Sequence, residues 1–184
     1  DVLCVDKTGT ITQPEMTVRE VVPLDEECCS AAKIEEIFNA YYRAIDADND
    51  TARAMAERFS KSSLWQVAST VPFTSANKWS AVVFKSYGAY VVGAPEFIMK
   101  ARYADLEHMV TPYQEQGCRV LLLARCANAP TMDGGIVGGV EPLALAVINN
   151  PIREEAPETF RYFAQQGVTV KVISGDNPST VSSV

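Results

Sequence analysis

The sequence predicts a mixed α/β protein in which a parallel sheet is interrupted by a long insertion of antiparallel strands and helices. Two short apolar runs, residues 2–5 and 168–173, have the composition of buried strands, and each ends in a polar loop. A helical pattern over residues 151–166 precedes the second run, as in a βαβ unit. More than a hundred residues of different periodicity separate the two runs, which is the pattern expected of an inserted domain.

The elements of the insertion follow from hydrophobic periodicity. Apolar residues spaced three and four apart predict helices over 30–45, 51–59 and 106–116, and a further helix opens at Gly93-Ala94-Pro95-Glu96. Alternating or β-branched runs predict extended segments over 16–22, 63–73, 78–84, 89–92, 119–125 and 143–148. Residues 130–139 are rich in glycine, but they lack the Gly-Lys-Ser/Thr ending of a P-loop and are expected to form a hairpin tip.

Composition restricts the class of protein. Of the 184 residues, 47% are hydrophobic and 21% are charged, which is typical of a globular domain. The net charge of -7 and the absence of a basic stripe argue against a nucleic-acid partner. No apolar run is long enough to cross a bilayer. Five cysteines without a C-x-x-C pair, beside one histidine, disfavour a zinc site and favour a reducing compartment.

The loop after the first strand carries the strongest chemical signal. Asp6-Lys7-Thr8-Gly9-Thr10 places a carboxylate where open α/β sheets bind ligands, at the carboxyl end of a strand. Lys7 supplies a positive charge, and Gly9 allows the backbone to approach a bound group. A carboxylate at such a position can attack a phosphoryl group and form an aspartyl-phosphate. The alternative is a capped turn with a solvated Asp and Lys.

The loop after the last strand is suited to binding a phosphoryl group. Ser174-Gly175-Asp176-Asn177 offers a hydroxyl, a close-approach backbone and amide groups at a helix start, which together form a natural anion site. If the two strands are neighbours, Ser174 can hold a phosphoryl oxygen while Asp6 attacks. The alternative for this loop is a simple helix cap and turn.

These two motifs together resemble those of the P-type (E1–E2) cation-transporting ATPases. Asp6-Lys7-Thr8-Gly9-Thr10 looks like the family's phosphorylation motif, and Ser174-Gly175-Asp176-Asn177 looks like its second phosphorylation-domain motif. The resemblance implies a partial Rossmann-like phosphorylation domain of the haloacid dehalogenase type over residues 1–19 and 147–184. It also implies an inserted nucleotide-binding domain, built of an antiparallel sheet and helices, over residues 20–146.

The resemblance also implies roles for the loop residues. Asp6 would accept the γ-phosphate of ATP, and Mg²⁺ would be held by the Asp6 side chain and the Thr8 carbonyl. Lys7 and Thr8 would steady the loop, whereas Ser174 and Gly175 would bind the phosphoryl oxygens. Asp176 would assist at the phosphate and at the contact between the domains.

Further positions within the insertion match the family's nucleotide site. Phe73 falls where the family has the phenylalanine that stacks on adenine, and Lys78 where it has a nucleotide-binding lysine. Gly93 belongs to a segment that matches the end of the family's K-G-A-P-E motif. Arg119 matches the arginine that reaches toward the phosphates. As alternatives, Phe73 is a core aromatic, Lys78 a solvated hairpin lysine and Arg119 a strand-edge charge.

The sequence departs from the family pattern at two motifs, K-G-A-P-E and D-P-x-R. Val92 stands where K-G-A-P-E has its lysine, which removes a cation and predicts weaker or differently posed ATP. Asn150 replaces the aspartate of the family's D-P-x-R motif, so that the expected contact of Arg153 with nucleotide or metal-linked phosphate has less support.

The expected protein is a monomeric, cytoplasmic-side piece of a multi-pass bacterial membrane pump. Its transported cation is not encoded here, and calcium is the nearest analogy. Thr8 occupies the position at which soluble phosphatases of the superfamily usually have a second aspartate, and this disfavours the main alternative, a soluble phosphatase with a large cap. The third alternative is a non-catalytic nucleotide-sensing module.

Overall fold

The computed structural model of the chain describes residues 1–13 and 15–173. Their regular elements, in chain order, are β1 (Val2–Asp6), β2 (Thr17–Pro23), α1 (Ala31–Ala44), α2 (Asp50–Arg58), β3 (Val67–Val71), β4 (Trp79–Phe84), β5 (Gly88–Gly93), α3 (Pro95–Met99), α4 (Ala104–Glu115), β6 (Arg119–Cys126), β7 (Val140–Asn149), α5 (Ala156–Gln165) and β8 (Thr169–Ile173). Within this described part, no helix has the length and apolar character needed to cross a membrane.

The first and last strands form a parallel pair, as the sequence predicts. β1 lies beside β8 in a register that pairs Val2 with Thr169 and Asp6 with Ile173. The helix α5 precedes β8, and Gly167, with a φ of 72°, ends the connection in a left-handed conformation. The carboxyl ends of both strands therefore reach the same edge of the sheet.

The residues between these strands fold around a separate antiparallel sheet of six strands in the order β2-β7-β6-β5-β4-β3. Alternate strand residues point to opposite faces. One face, which includes Val82 and Leu123, packs against Phe38 and Met55 of α1 and α2. The other face packs against Ile98, Leu106 and Val110 of α3 and α4. The mixed α/β fold class and its antiparallel insertion are therefore confirmed.

Side-chain caps fix the starts of the two helices on the first face. The Ser30 hydroxyl accepts a hydrogen bond from the Lys33 amide at 3.3 Å, and Asn49 Oδ1 accepts one from the Ala52 amide at 2.9 Å. Such caps satisfy amide groups that have no partner within the first turn of a helix.

Two predicted elements differ in extent from the sequence pattern. The extended segment predicted over residues 63–73 forms a strand only at Val67–Val71, at the edge of the sheet. The helix predicted from residue 151 begins at Ala156, because residues 151–153 bond to residues 11–13 and residues 154–155 form a turn. The predicted domain boundaries, after residues 19 and 146, fall within β2 and β7, which pair with each other; the division into domains stays a prediction.

The chain crosses between the two sheets twice, and the crossings are bonded to each other. Thr12 and Ile152 form an isolated antiparallel bridge. The Gln13 amide donates to the Pro151 carbonyl at 2.7 Å, and the Arg153 amide donates to the Ile11 carbonyl at 2.9 Å. The outgoing and returning segments therefore run side by side.

Candidate functional site

Asp6 is the last residue of β1 and is exposed at the carboxyl edge of the parallel pair. The chain continues into a single wide, π-type helical turn over Lys7–Ile11. Gly9 has a φ of 77° in this turn, and its amide donates to Thr12 Oγ1 at 3.2 Å. The predicted Asp6 loop therefore lies at the tip of the strand, with its carboxylate open to a ligand.

The loop Ser174-Gly175-Asp176-Asn177 follows β8 directly in the chain. Ile173 lies opposite Asp6 in the strand register, and Ser174 follows Ile173 in the chain. Ser174, Gly175 and Asp176 lie outside the described residues, as do the side chains of Lys7 and Thr8. The neighbouring strands required by the expected site are present, whereas the roles of these five residues stay predictions.

The six-stranded sheet carries a cavity of about 920 Å³. Its walls come from the α1–α2 connection, the β3–β4 connection, the β5–α3 junction and the start of β6. The cavity brings together the four insertion residues singled out from the sequence, namely Phe73, Lys78, Gly93 and Arg119. They come from three separate segments, so the arrangement arises only on folding.

Position 93 needs a glycine because the backbone there lies close to the backbone of Lys78 and Trp79. A Cβ atom at this position would lie 2.4 Å from the Lys78 carbonyl oxygen and 2.5 Å from Trp79 Cα, far inside normal contact distances. The amide of the next residue, Ala94, donates to the Lys78 carbonyl at 2.9 Å. Lys78 itself has a φ of 61°, which is uncommon for a residue with a side chain. The β4 start and the β5 end thus form one tightly joined part of the cavity wall.

Two aromatic side chains of the cavity wall are half open to solvent. Phe73 is 40% exposed and Phe97 is 41% exposed, whereas Phe38 and Phe84 are buried in the core. The segments carrying the two rings are held together by the bond between Ala94 and Lys78. Exposed aromatic faces in a concave site are suitable for stacking on a planar base.

Arg119 places its cationic group in the cavity through a contact with α2. Its Nη1 atom donates a hydrogen bond to Thr51 Oγ1, and both residues line the cavity. Lys78 also lines the cavity. Two cationic side chains in one cavity suit an anionic ligand such as a polyphosphate.

Acidic and hydroxyl groups complete the wall. Asp46, Asp48 and Asp50 come from the α1–α2 connection. Glu96 also lines the cavity, and its buried Oε2 atom has no hydrogen-bond partner among the described residues. The Tyr41 hydroxyl, hydrogen-bonded to Ser80 Oγ at 2.9 Å, lies just behind the wall, and its burial raises the pKa of this group well above the ordinary value.

Thr51 and Phe97 are among the residues of this cavity that sequence reasoning does not single out. Thr51 was assigned only to a helix, and Phe97 was not singled out, although it directly follows the recognised Gly93-Ala94-Pro95-Glu96 segment. The signal for Phe97 was available, because a large apolar residue next to a binding motif is a candidate for the ligand contact. Val92, where the resemblance expects a lysine, also lines the cavity and is 3% exposed.

Arg153 is placed away from the residues that line the cavity. Its Nη2 atom donates to the Gly9 carbonyl at 2.8 Å, and its Nε atom donates to the Thr12 carbonyl at 3.2 Å. The structure therefore joins this arginine to the Asp6 loop, across the two chain crossings.

The donor atoms around Asp6 are compatible with magnesium. A carboxylate and main-chain carbonyl groups are hard oxygen ligands, and Mg²⁺ is commonly held by one or two carboxylates together with substrate phosphates and water. No cluster of three acidic, cysteine or histidine side chains suitable for a metal occurs in residues 1–13 and 15–173. Asp6 supplies one oxygen ligand of this kind, an exposed carboxylate at the tip of β1.

The parallel pair of β1 and β8, with a long antiparallel segment between them in the chain and Asp6 at the tip of β1, agrees with one family of hydrolases. The chain belongs to the haloacid dehalogenase-like hydrolases, because that family matches residues 1–184. This match confirms the haloacid dehalogenase part of the resemblance expected from the sequence.

Individual relatives are cation-transporting ATPases. The chain is 41% identical over 193 residues to the calcium-transporting ATPase CtpE of Mycobacterium tuberculosis (strain CDC 1551 / Oshkosh), covering all of this chain and 23% of the relative. It is 39% identical over 189 residues to the "Probable cation-transporting ATPase exp7" of Streptococcus pneumoniae serotype 4, again covering all of this chain and 23% of the relative. The chain thus spans about a quarter of the length of these relatives.

A solved structure shares the fold. The crystal structure of a zinc-transporting PIB-type ATPase in its E2.Pi state superimposes with a TM-score of 0.57 at 17% sequence identity. The superposition covers 99% of this chain and 27% of that one. At this identity, the likeness supports the fold alone.

Proposed function

We propose that this chain is the ATP-binding and phosphoryl-accepting part of a P-type cation-transporting ATPase. The observation that carries the proposal is the joint presence of Asp6 at the open tip of β1 and a cavity that collects Phe73, Lys78 and Arg119. The proposal is also supported by the relatives reported above, which are named as cation-transporting ATPases.

The cavity binds the nucleotide by complementary contacts. The exposed rings of Phe73 and Phe97 provide faces on which the adenine can stack, a contact worth about 1–3 kcal/mol per base in other nucleotide-binding proteins. Arg119 and Lys78 attract the phosphates, and charge-assisted hydrogen bonds are the stronger kind. ATP is therefore the expected ligand of the inserted sheet.

Asp6 then acts as the nucleophile. One of its carboxylate oxygens forms a bond to the γ-phosphorus, while the bond from that phosphorus to the β,γ-bridging oxygen breaks and its electron pair leaves with ADP. The Asp6 side chain and the Thr8 carbonyl would hold Mg²⁺, which would neutralise charge on the phosphate oxygens. Lys7 and Thr8 steady the loop, Ser174 and Gly175 hold phosphoryl oxygens, and Asp176 assists at the phosphate.

The residue two positions after the nucleophile distinguishes a pump from a phosphatase. Thr8 has no ionisable group with which to activate water for attack on the aspartyl-phosphate. A phosphorylated Asp6 should therefore persist long enough to drive a conformational cycle. Transport of a cation, with calcium the substrate named for one relative, takes place in the membrane part of the complete pump, and this chain lies on its cytoplasmic side.

The central experiment measures phosphate on Asp6 in the full-length protein. Incubation with ATP labelled at the γ-phosphate should give acid-stable label that Asp6→Asn abolishes and the distant Asp25→Asn retains. Label that turns over within milliseconds in the absence of a transported cation would favour a soluble phosphatase. No label in the wild-type protein would refute phosphoryl acceptance.

A second experiment tests nucleotide binding by the chain itself. Titration calorimetry with ATP should show that Phe73→Ala weakens binding by about tenfold or more, because base stacking is lost. Tyr87→Ala is the matched control, since Tyr87 is 41% exposed but does not line the cavity. Equal affinities for both variants would argue against stacking on Phe73. The chain alone should bind ATP without appreciable hydrolysis.

A further inference from the structure

Arg153 makes a concentrated set of contacts with the loop that follows Asp6. The Nη2 atom donates to the Gly9 carbonyl at 2.8 Å and the Nε atom to the Thr12 carbonyl at 3.2 Å. The main-chain amide of Arg153 donates to the Ile11 carbonyl at 2.9 Å. One residue thus satisfies three carbonyl groups within four consecutive residues of the loop.

We infer that Arg153 is a positioning residue, which fixes the Asp6 loop for phosphoryl transfer and does not itself bind the nucleotide. The inference rests on the proposed function only in taking Asp6 as the phosphoryl acceptor. It assigns Arg153 to the phosphorylation loop, whereas the sequence resemblance associates it with the nucleotide.

The loop is of a kind that needs support from outside. A single π-type turn is rare in proteins and is frequently found at functional sites. Gly9 is in the left-handed region, and a Cβ atom built there would meet no atom within 4 Å among the described residues that are not its chain neighbours. The guanidinium of Arg153 donates a hydrogen bond to the carbonyl of this same residue, Gly9, three residues after Asp6.

The residues that Arg153 contacts at the end of the loop are held in place by burial and by backbone pairing. Ile11 is 2% exposed and Thr12 is fully buried, and Thr12 pairs with Ile152 in the bridge between the two chain crossings. Arg153 follows Ile152 directly, so its backbone is held by the same crossing. A planar guanidinium with several fixed donors suits such a clamp, whereas a lysine ammonium can replace it only in part.

The geometry also explains why the nucleotide is a poor partner for this side chain. Arg153 is absent from the cavity wall that holds Phe73 and Arg119. Two of its side-chain nitrogens already donate to backbone carbonyls. Turning the guanidinium toward a phosphate would leave the Gly9 carbonyl without this donor, and the loss of such a partner is unfavourable in a partly buried site.

The test separates binding from phosphoryl transfer in the full-length protein. Arg153→Ala and Arg153→Lys are compared with Arg161→Ala, which removes an exposed arginine from α5 and serves as the control. The dissociation constant for ATP is measured by calorimetry, and the rate of Asp6 labelling is measured in a single turnover at saturating ATP. Amide hydrogen exchange of residues 7–12 reports on the loop.

If Arg153 positions the loop without binding ATP, its substitution should change the labelling rate but not the ATP dissociation constant. The ATP dissociation constant should stay within about twofold in all variants, while the labelling rate falls by about 10- to 100-fold in Arg153→Ala and by less in Arg153→Lys. Exchange in residues 7–12 should rise in Arg153→Ala, and added guanidinium ion should partly restore the labelling rate. Arg161→Ala should resemble the wild type in each measurement.

Opposite results would overturn the inference. A weaker dissociation constant with an unchanged rate at saturating ATP would make Arg153 a nucleotide ligand. Unchanged rate and unchanged exchange would leave it without a role in the loop. If the wild-type protein takes up no label, the proposed function fails, whereas the exchange of residues 7–12 in Arg153→Ala, compared with wild type, still decides whether Arg153 holds the loop.

Discussion

The guanidinium of Arg119 donates a hydrogen bond to the hydroxyl of Thr51 on the wall of the cavity. This contact joins the first residue of β6 to the first turn of α2, 68 residues apart in the chain. It orients a cation toward the space that we assign to the phosphates of ATP.

Removing the cation should therefore weaken ATP binding strongly. We expect Arg119→Ala to raise the dissociation constant by about 10- to 100-fold, as for the loss of a charged hydrogen bond, and Thr51→Val by about threefold. Arg125→Ala is the matched control, because Arg125 lies on the same strand but is exposed and outside the cavity. Titration calorimetry measures all three, and an equal effect of Arg119→Ala and Arg125→Ala would contradict the assignment.

The valine at position 92 should limit the affinity for ATP. Val92 lines the cavity, so Val92→Lys adds a third cation beside the nucleotide, and we expect binding to tighten by about three- to tenfold. The same change should lower the unfolding temperature, since Val92 is 3% exposed and belongs to the core. Val92→Met keeps the length without the charge and should leave the affinity within about twofold. Tighter binding by both variants would show that charge is not the cause.

The close approach at Gly93 should make this position intolerant of a side chain. Gly93→Ala forces a Cβ atom against the Lys78 carbonyl and the Trp79 backbone, and we expect a loss of about 1–3 kcal/mol in the free energy of unfolding. ATP binding should fall as well, because Lys78 must move. Gly139→Ala is the comparison, since a Cβ atom there meets nothing within 4 Å among the described residues and its cost comes only from the left-handed φ of 85°. Urea unfolding compares the two, and a larger loss at Gly139 would contradict the steric account.

Cysteine reactivity should follow burial and pKa. Burial raises the pKa of the Cys126 thiol to about 11, and burial also raises the pKa of Cys29. Because the thiolate is the reactive form, a raised pKa delays its appearance to higher pH, so only about one Cys126 in a thousand is thiolate at pH 8. Cys4 is exposed and should react with iodoacetamide at that pH.

The readout for these thiols is peptide mapping by mass spectrometry after brief labelling of the native protein. Cys28 is exposed, but its hydrogen bond to Asp25 raises its pKa, so it should react more slowly than Cys4 as long as the pH stays near 8. Labelling in denaturant should reach all five cysteines. Native labelling of Cys126 at the rate of Cys4 would contradict the burial of β6.

Much of the fold was predictable because its signals are local. The nearly continuous apolar runs of β4 to β7 reflect strands that are buried on both faces, and the three- and four-residue spacing in α1 reflects one buried helix face. The parallel pairing of β1 with β8 also followed from the sequence, because the helix of α5 leads directly into a second apolar strand. Residues 63–66 lie outside β3, because an edge strand has hydrogen-bonding partners on one side only and residues at its end are less strongly held in the sheet.

The candidate site was predictable only where a recognised motif marked it. Phe73, Lys78, Gly93 and Arg119 were named from the family resemblance, and the structure brings them to one cavity. Thr51 became visible only through its contact with Arg119, which depends on how α2 packs. The clamp of Arg153 on Gly9 joins residues 144 positions apart, and no local pattern encodes such a pairing.

The hydrogen bond between the Gln13 amide and the Pro151 carbonyl, 2.7 Å long, brings the two ends of the intervening segment together. A segment whose ends meet in this way can be added to or lifted out of a host fold without pulling the host strands apart. From this closeness we expect residues 15–150 to fold when expressed alone, and a short linker to be enough to join the host segments in their place.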